Sequence, residues 1–522
     1  MSRIFSLVTA ILLFSGFALA QQINEITQIG DNRAEVSQDG DNESYIDQEN
    51  TGGDENIAKV NQESYDGDSN YSEIDQVGAD NTAEVRQDGD NSAEIEQDGY
   101  DNRVEIRQEG YNEGFIEQEG DDNQAEINQE GLNISLIVQI GSDNQGKVTQ
   151  EGAFNFAAVG QFEGNGNRSE VRQEGEDNEA VIFPVVGDDN QSKVIQEGVG
   201  NILGLDEPET GIVQFGDDNR AEVRQEGEYN FVPFVWQEGD DNRAEVRQEG
   251  EYNHSVIYGQ YGEGNTAKIT QEGNDNYNGV LEFELPGVYQ EGEDNTIEIR
   301  QEGAYNGAGA GQFGEDNRAE IHQEGFVNLA GILQAEGEGN RAKIHTEGGF
   351  TLTGILQVGD ENNAEVHQEG GGQAVGIAQF GEENHAEVQQ EGELLGVLVL
   401  QGGEENRAKI VQEDALSLAG IEQGGFENNG EIHQDGAENI ANILQLGEEN
   451  RAEIIQDGDG NFALATQFGE DNYIKIVQDG DGNTSILTQD GTGNSYTNIQ
   501  KGDGHYNEVF QTGGGNVTLV QD

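Results

Sequence analysis

A nine-residue phrase, Asn-x-Ala-x-Val-x-Gln-x-Gly, recurs along nearly the whole chain at intervals of about eleven residues. It stands as Asn219-Arg-Ala221-Glu-Val223-Arg-Gln225-Glu-Gly227, and again from Asn242 to Gly250 and from Asn317 to Gly325. A unit this short cannot bury a core alone, so it has to stack on copies of itself. Within the unit, Asn219, Ala221, Val223 and Gln225 share one parity, and Arg220, Glu222 and Arg224 share the other. Period two marks a strand with one buried face, whereas a helix would scatter the charges all round. Gly227 supplies a turn conformation that a Cβ disfavours, and Asn230 opens the next strand. Two strand-turn units close a loop of about twenty-two residues. The pattern therefore predicts an all-β chain: a β-solenoid with two strands per rung. Counting from Gln28 to Gln521 gives about forty-four strands and about twenty-two rungs. At about 4.8 Å per rung, the expected column is roughly 105 Å tall.

The core of such a column is thin. Each strand offers one small residue and one Val or Ile, worth about 1.5–3 kcal/mol when buried. The Asn and Gln at its ends would be costly to bury unpaired. Stacked in register, each carboxamide can donate to its copy one rung away and accept from the other, as in cross-β assemblies. Candidate ladder residues are Gln150, Gln173, Gln225, Gln248, Gln301, Gln323, Gln368, Gln412 and Gln456, with Asn219, Asn242 and Asn317; the turn glycines are Gly227, Gly250, Gly303 and Gly325. A mere polar rim would not explain why Gln rather than Ser, Lys or Glu fills the slot. Thr346 is a visible exception.

Residues 1–20 read as a secretory signal peptide: Arg3, an apolar run from Ile4 to Phe17, and Ala18-Leu19-Ala20 as the cleavage site. The run is shorter than the roughly 20 residues a membrane span needs. The expected mature chain, 21–522, is a single array with no Cys and no Met, so its stability comes from stacking rather than disulfides. Irregular or inserted units fall near 48–76, 180–187, 197–213 and 272–289; Pro184, Pro208 and Pro286 lie in them and Pro233 in a further irregular strand, and all four predict bulges or loops.

The 105 acids outnumber 24 bases, for a formal net charge of −81. That excludes nucleic acid as a partner, since phosphate binding needs a basic surface. Spread along the column, it amounts to about one charge per 1.3 Å, denser than the roughly 1.7 Å of duplex DNA. Bases lie on the strands and acids crowd the turns, at Glu226, Glu228, Asp240, Asp241, Glu382, Glu383, Glu404 and Glu405. Divalent cations are expected as diffuse counterions, because no repeated calcium-loop motif occurs.

The outward residues differ between alternate strands. One type is charged, as in Arg243, Glu245 and Arg247. From about residue 130 the other is apolar or tiny: Ile134, Leu136 and Val138; Leu329, Gly331 and Leu333; Leu352, Gly354 and Leu356; Gly396, Leu398 and Leu400; Phe462 and Leu464. Stacked, these predict an apolar stripe fit for lateral contact. His322, His345, His367 and His385 fall about a rung apart at outward positions. The plainer reading is a solvated face; the sharper one is a short imidazole row with some metal affinity. The sequence carries no HExxH, Walker, nucleophile-elbow or CxxC pattern, and near-uniform rungs build no cleft, so neither catalysis nor a cofactor is expected.

A signal peptide followed by dozens of Gln-x-Gly-x-x-Asn-x-Ala-x-Val-x-Gln units resembles the curlin repeat family, the secreted subunits of curli. Gln225, Gly227, Asn230 and Gln237 match the family's stacking positions. The resemblance covers essentially everything after residue 20, with about four times the usual five repeats. It implies a self-assembling extracellular amyloid fibre of a Gram-negative-type bacterial biofilm, acting in adhesion and aggregation. The implied partners are copies of the chain, other curlin-like subunits and a secretion apparatus. The alternatives are a monomeric β-solenoid adhesin or a minor fibre nucleator.

Overall fold

The computed structural model describes residues 22–65, 68–204, 210–278 and 287–521. The signal-peptide segment, Pro208 and Pro286 lie outside the described residues. Forty-five strands and no helix are found among them. Each strand pairs in parallel with the equivalent strand of the next coil rather than with its immediate successor. Arg220–Glu228 lies on Arg243–Glu251 with Ala221, Val223 and Gln225 opposite Ala244, Val246 and Gln248. One coil thus carries two strands. Two strands are of double length, Gln124–Ser142 and Gln145–Asn165, and three arms are split in two, so the strands make about 22 coils. This is the β-solenoid that the repeat predicts.

The coils fall into two compact units, Met1–Phe156 and Ala157–Asp522. In the first, pairing runs from Ile23–Ile29 on Glu43–Asn50 to Glu113–Glu119 on Gln124–Ser142. In the second, it runs from Arg168–Glu176 on Gln191–Val199 to Asn494–Lys501 on Gly515–Gln521. In both, burial alternates along each strand: Ala83 and Val85 are buried in the first unit, Ala221 and Val223 in the second. The alternation follows from the pleat, which turns every second side chain inward.

Coils close tightly at their corners. Gly227 has φ +112°, and a Cβ built there would lie 2.1 Å from the carbonyl oxygen of Gly250 in the next coil. Glycine is required by both the conformation and the close approach. Two residues later the chain takes a left-handed residue, Tyr229 at φ 55° or Asp241 at φ 57°, before the inward Asn.

Insertions leave the Gln ladder in step. A coil is usually 21–23 residues, as from Gln97 to Gln118 or Gln225 to Gln248, yet Gln196 to Gln225 spans 29 and Gln260 to Gln290 spans 30. Proline marks irregularities as expected: the register slips between Ile182 and Val185, around Pro184, and Pro233 separates Phe231–Val232 from Phe234–Glu238.

Candidate functional site: the amide ladders and the outer faces

The inward carboxamides form hydrogen-bonded ladders. Gln225 Nε2 donates to Gln248 Oε1 at 2.9 Å, to the Asn230 carbonyl at 2.9 Å and to the Ile202 carbonyl at 3.1 Å. The series continues from Gln248 to Gln271 at 3.0 Å, to Gln301 at 2.9 Å and to Gln323 at 3.2 Å. Gln173 donates to Gln196 at 2.8 Å, and Gln368 begins a run through Gln390, Gln412, Gln434 and Gln456 at 2.7–2.9 Å. In the first unit, Gln129 donates to Gln150 at 2.9 Å. A buried amide paired in this way avoids the desolvation cost of an orphan and fixes the register of its neighbours.

The ladders have direction. Every such Gln donates toward the C-terminal neighbour. Asn runs the other way: the Asn242 backbone N–H donates to Asn219 Oδ1 at 3.1 Å, and Asn317 Nδ2 donates to Asn295 Oδ1 at 3.1 Å. Asn219 and Asn242 also reach the corner of the next coil, donating to the carbonyls of Gly239 at 2.6 Å and Gly262 at 2.8 Å. Thr346 interrupts the Gln ladder: its Oγ1 and the Nε2 of Gln323 are buried without a partner. The Asn column is interrupted too, by Thr351, Gln373, Leu395 and Ser417, all buried.

The two corners of a coil differ, which a common reading of acidic turns does not anticipate. One holds acidic pairs such as Asp240–Asp241, Glu382–Glu383 and Glu404–Glu405. Here Asp at the first turn position is structural: Asp240 Oδ1 accepts the Asp217 N–H at 2.9 Å, and Asp217 Oδ1 accepts the Asp188 N–H at 2.8 Å. The other corner, where Glu226 and Glu228 lie, carries Tyr229, Tyr252, Tyr305, Phe326, Phe350, Leu394 and Leu416, all exposed. Tyr229 and Tyr252 stack at 5.2 Å, and Phe326 meets Phe350 edge-on at 5.9 Å.

That apolar corner leads into the apolar strand face. Leu329 and Leu352, Leu333 and Leu356, and Leu398 and Gly420 stack in register. Leu333, Leu352, Leu398, Leu418 and Phe462 are exposed, and Leu356 and Leu400 half-buried. In the first unit Leu136 is half-buried, and Val138, though of outward parity, is buried.

On the charged face, acidic and basic residues share columns that run along the stack. In the second unit the central column reads Glu170, Lys193, Glu222, Glu245, Lys268, Glu298, Glu320, Lys343, Glu365, Glu387, Lys409, Glu431, Glu453, Lys475. Lysine returns every third coil, so no glutamate has like charge on both sides. Lys409 reaches Glu387 at 3.0 Å and Lys475 reaches Glu453 at 2.7 Å. Aligning the sequence by coil rather than by strand exposes this period.

Crowded acids gain proton affinity. Partial desolvation, then Asp241, Asp189, Asp217 and Asp240, push the Asp218 carboxyl above the usual range. Asp471 and Glu427 do the same for Glu449, and burial does so for Glu94, Glu113 and Glu117. His322, His345 and His367 occupy one column, but His385 does not join them: it stacks on Asn363, while Gln389 follows His367. The expected four-residue row is therefore three residues long, because His385 opens its strand four positions earlier. Burial, then His322 and His367, lower the proton affinity of His345.

The geometry defines a class: a parallel β-solenoid whose coils are joined by buried Gln and Asn ladders. Ten segments match the curlin associated repeat, at 66–89, 90–131, 141–175, 216–250, 239–273, 292–325, 314–345, 359–392, 447–480 and 469–502. Together they cover more than half of the chain, which belongs to the curlin repeat family. No curated protein matches the sequence.

Proposed function

We propose that the chain is a secreted structural subunit that self-assembles head to tail into curli-like amyloid fibres of an extracellular matrix. The observation carrying this reading is the ladder left open at both outermost coils. In the first coil Gln38 Oε1, which heads its column, is buried without a donor; in the last, Gln521 Nε2 donates to the Tyr506 carbonyl at 3.4 Å rather than to a further Gln, and Val517 and Val520 are exposed. Because Gln donates toward the C-terminal side, a donor end of one copy fits an acceptor end of the next. Heterologous contacts of this kind do not close and give filaments. The apolar face is the place for lateral pairing with a second copy, since the other strand face and the acidic corner would bring like charges together.

Electron microscopy of the purified chain over time, with seeded thioflavin kinetics, tests this. Fibres, seeding and a 4.7–4.8 Å meridional reflection are expected. A chain that stays monomeric by sedimentation refutes it and favours a monomeric adhesin.

A further inference from the structure

The three-histidine column has the makings of a metal site. His322, His345 and His367 lie in register, with ring centroids 4.8 Å apart at both steps. The adjacent column is carboxylate: Glu302, Glu324, Glu347 and Glu369, also in register. Each imidazole Nε2 lies near the glutamate two residues on, at 3.3 Å for His322, 3.2 Å for His345 and 2.9 Å for His367. Ligand atoms of Glu302, His322 and Glu324 lie within 4.8 Å of one another. His322 Nε2 is shielded from solvent yet makes no hydrogen bond.

We propose that this column binds one first-row transition-metal ion of the zinc type, through the imidazoles of His322 and His345 and the carboxylates of Glu302 and Glu324. Zinc–nitrogen bonds are about 2.0–2.1 Å, so two tetrahedral donors sit roughly 3.4 Å apart. Rings stacked one coil apart reach that separation by small side-chain rotations, and the strand spacing holds them there. Mixed imidazole and carboxylate donors suit zinc, copper or nickel, whereas calcium and magnesium take oxygen alone. The site is confined to these coils because the same column carries Thr270 and Arg300 on one side, Arg300 being ion-paired with Glu302 and having to release it to the metal, and Gln389 and Val411 on the other.

Calorimetry of the full chain with zinc chloride, at fixed ionic strength and in excess calcium, reads the site directly. Calcium occupies the diffuse acidic surface, so the expected result is a saturable heat with one ion per chain. His345→Gln should weaken binding at least about tenfold. Glutamine is native to this column at Gln389, so the fold should persist, as circular dichroism would check. His385→Gln, off this column, and His433→Gln, three coils beyond His367 along it, should leave binding unchanged. A heat that never saturates, or a saturable one indifferent to His345→Gln, overturns the proposal.

Discussion

Restoring the interrupted ladder by Thr346→Gln should stabilise the coils around it. Thr346 sits in register between Gln323 and Gln368, where every neighbouring coil has glutamine. The break leaves two buried groups unpartnered, Gln323 Nε2 and Thr346 Oγ1. A stranded buried polar group costs about 1–3 kcal/mol, and each neutral hydrogen bond made adds about 0.5–1.5 kcal/mol. The substitution removes the orphaned hydroxyl, gives Gln323 an acceptor and offers a new donor to Gln368. Ordering the longer side chain costs up to about 1 kcal/mol more. The expected net gain is about 2 kcal/mol. Thr353, whose hydroxyl donates to Gln368, does not block the space: Val375, of similar size, holds the same inner position one coil on, beside an intact Gln368–Gln390 pair. A solenoid opens locally, so native-state hydrogen exchange is the assay. Amides from Ile344 to His367 should exchange about 30-fold more slowly, at about 1.4 kcal/mol per decade. The reverse change, Gln401→Thr, removes donors to the His385 and Asn406 carbonyls and to Gln423, and should speed local exchange by a comparable factor. Unchanged exchange in both variants would refute the view that the ladder contributes net stability.

Lys409→Glu would place five glutamates in succession from Glu365 to Glu453, and at about 0.2–1 kcal/mol per exposed pair should cost about 1–2 kcal/mol. Thermal melts should show most of that loss recovered at high salt; a salt-independent loss would contradict the charge argument. Glu94, Glu113, Glu117, Asp218 and Glu449 hold protons more tightly in the fold than the ordinary carboxylate value of about 4. The folded chain therefore binds more protons, and their stabilising contribution is full below about pH 4 and lost as pH rises through the raised folded values. His345, held below its ordinary value, works the opposite way below about pH 6.5, but the acids outnumber it. Melts at constant ionic strength should thus show higher stability at pH 4.5 than at pH 7, and a lower value would count against the crowding. Replacing Leu333, Leu356 and Leu400 by Lys should leave single filaments but reduce bundling in micrographs; unchanged bundles would exclude this face from lateral contact.

Much of this was legible because the interior is almost periodic. Parity alone turns Ala221, Val223 and Gln225 inward, and the parallel register of Gln225 on Gln248 follows from a repeat that closes every two strands. The direction of the ladders was not legible, since which amide atom faces which neighbour depends on the corner geometry that ties Asn242 to Gly262. The length of the histidine row was misjudged for a related reason. Spacing along the chain places His385 one coil after His367, but only register shows that it lies four positions earlier on its strand. The threefold lysine period escaped a reading made strand by strand, although it needs no coordinates.

The departures from the repeat cluster, and that clustering is physical. Thr351, Gln373, Leu395 and Ser417 replace Asn in consecutive coils of one column, next to exposed Phe350, Leu394 and Leu416 at the same corner. An asparagine ladder ties each corner to the one before it through the amide. Where it is given up, some bonds are rebuilt from shorter groups: Thr351 Oγ1 donates to Asn328 Oδ1 at 2.8 Å, and the Asn439 N–H donates to Ser417 Oγ at 3.2 Å. Leu395 makes no such bond from its side chain and holds its place by burial instead. The opposite column keeps asparagine throughout these coils, from Asn340 through Asn362, Asn384 and Asn406 to Asn428, and each of those corners holds at least one acid. In these coils loss of the inward Asn is thus confined to the corner that carries the apolar surface, while the acidic corner keeps its Asn ladder. The apolar side can change its side chains coil by coil because the Gln ladders and the acidic-corner Asn ladder hold the register for both strands.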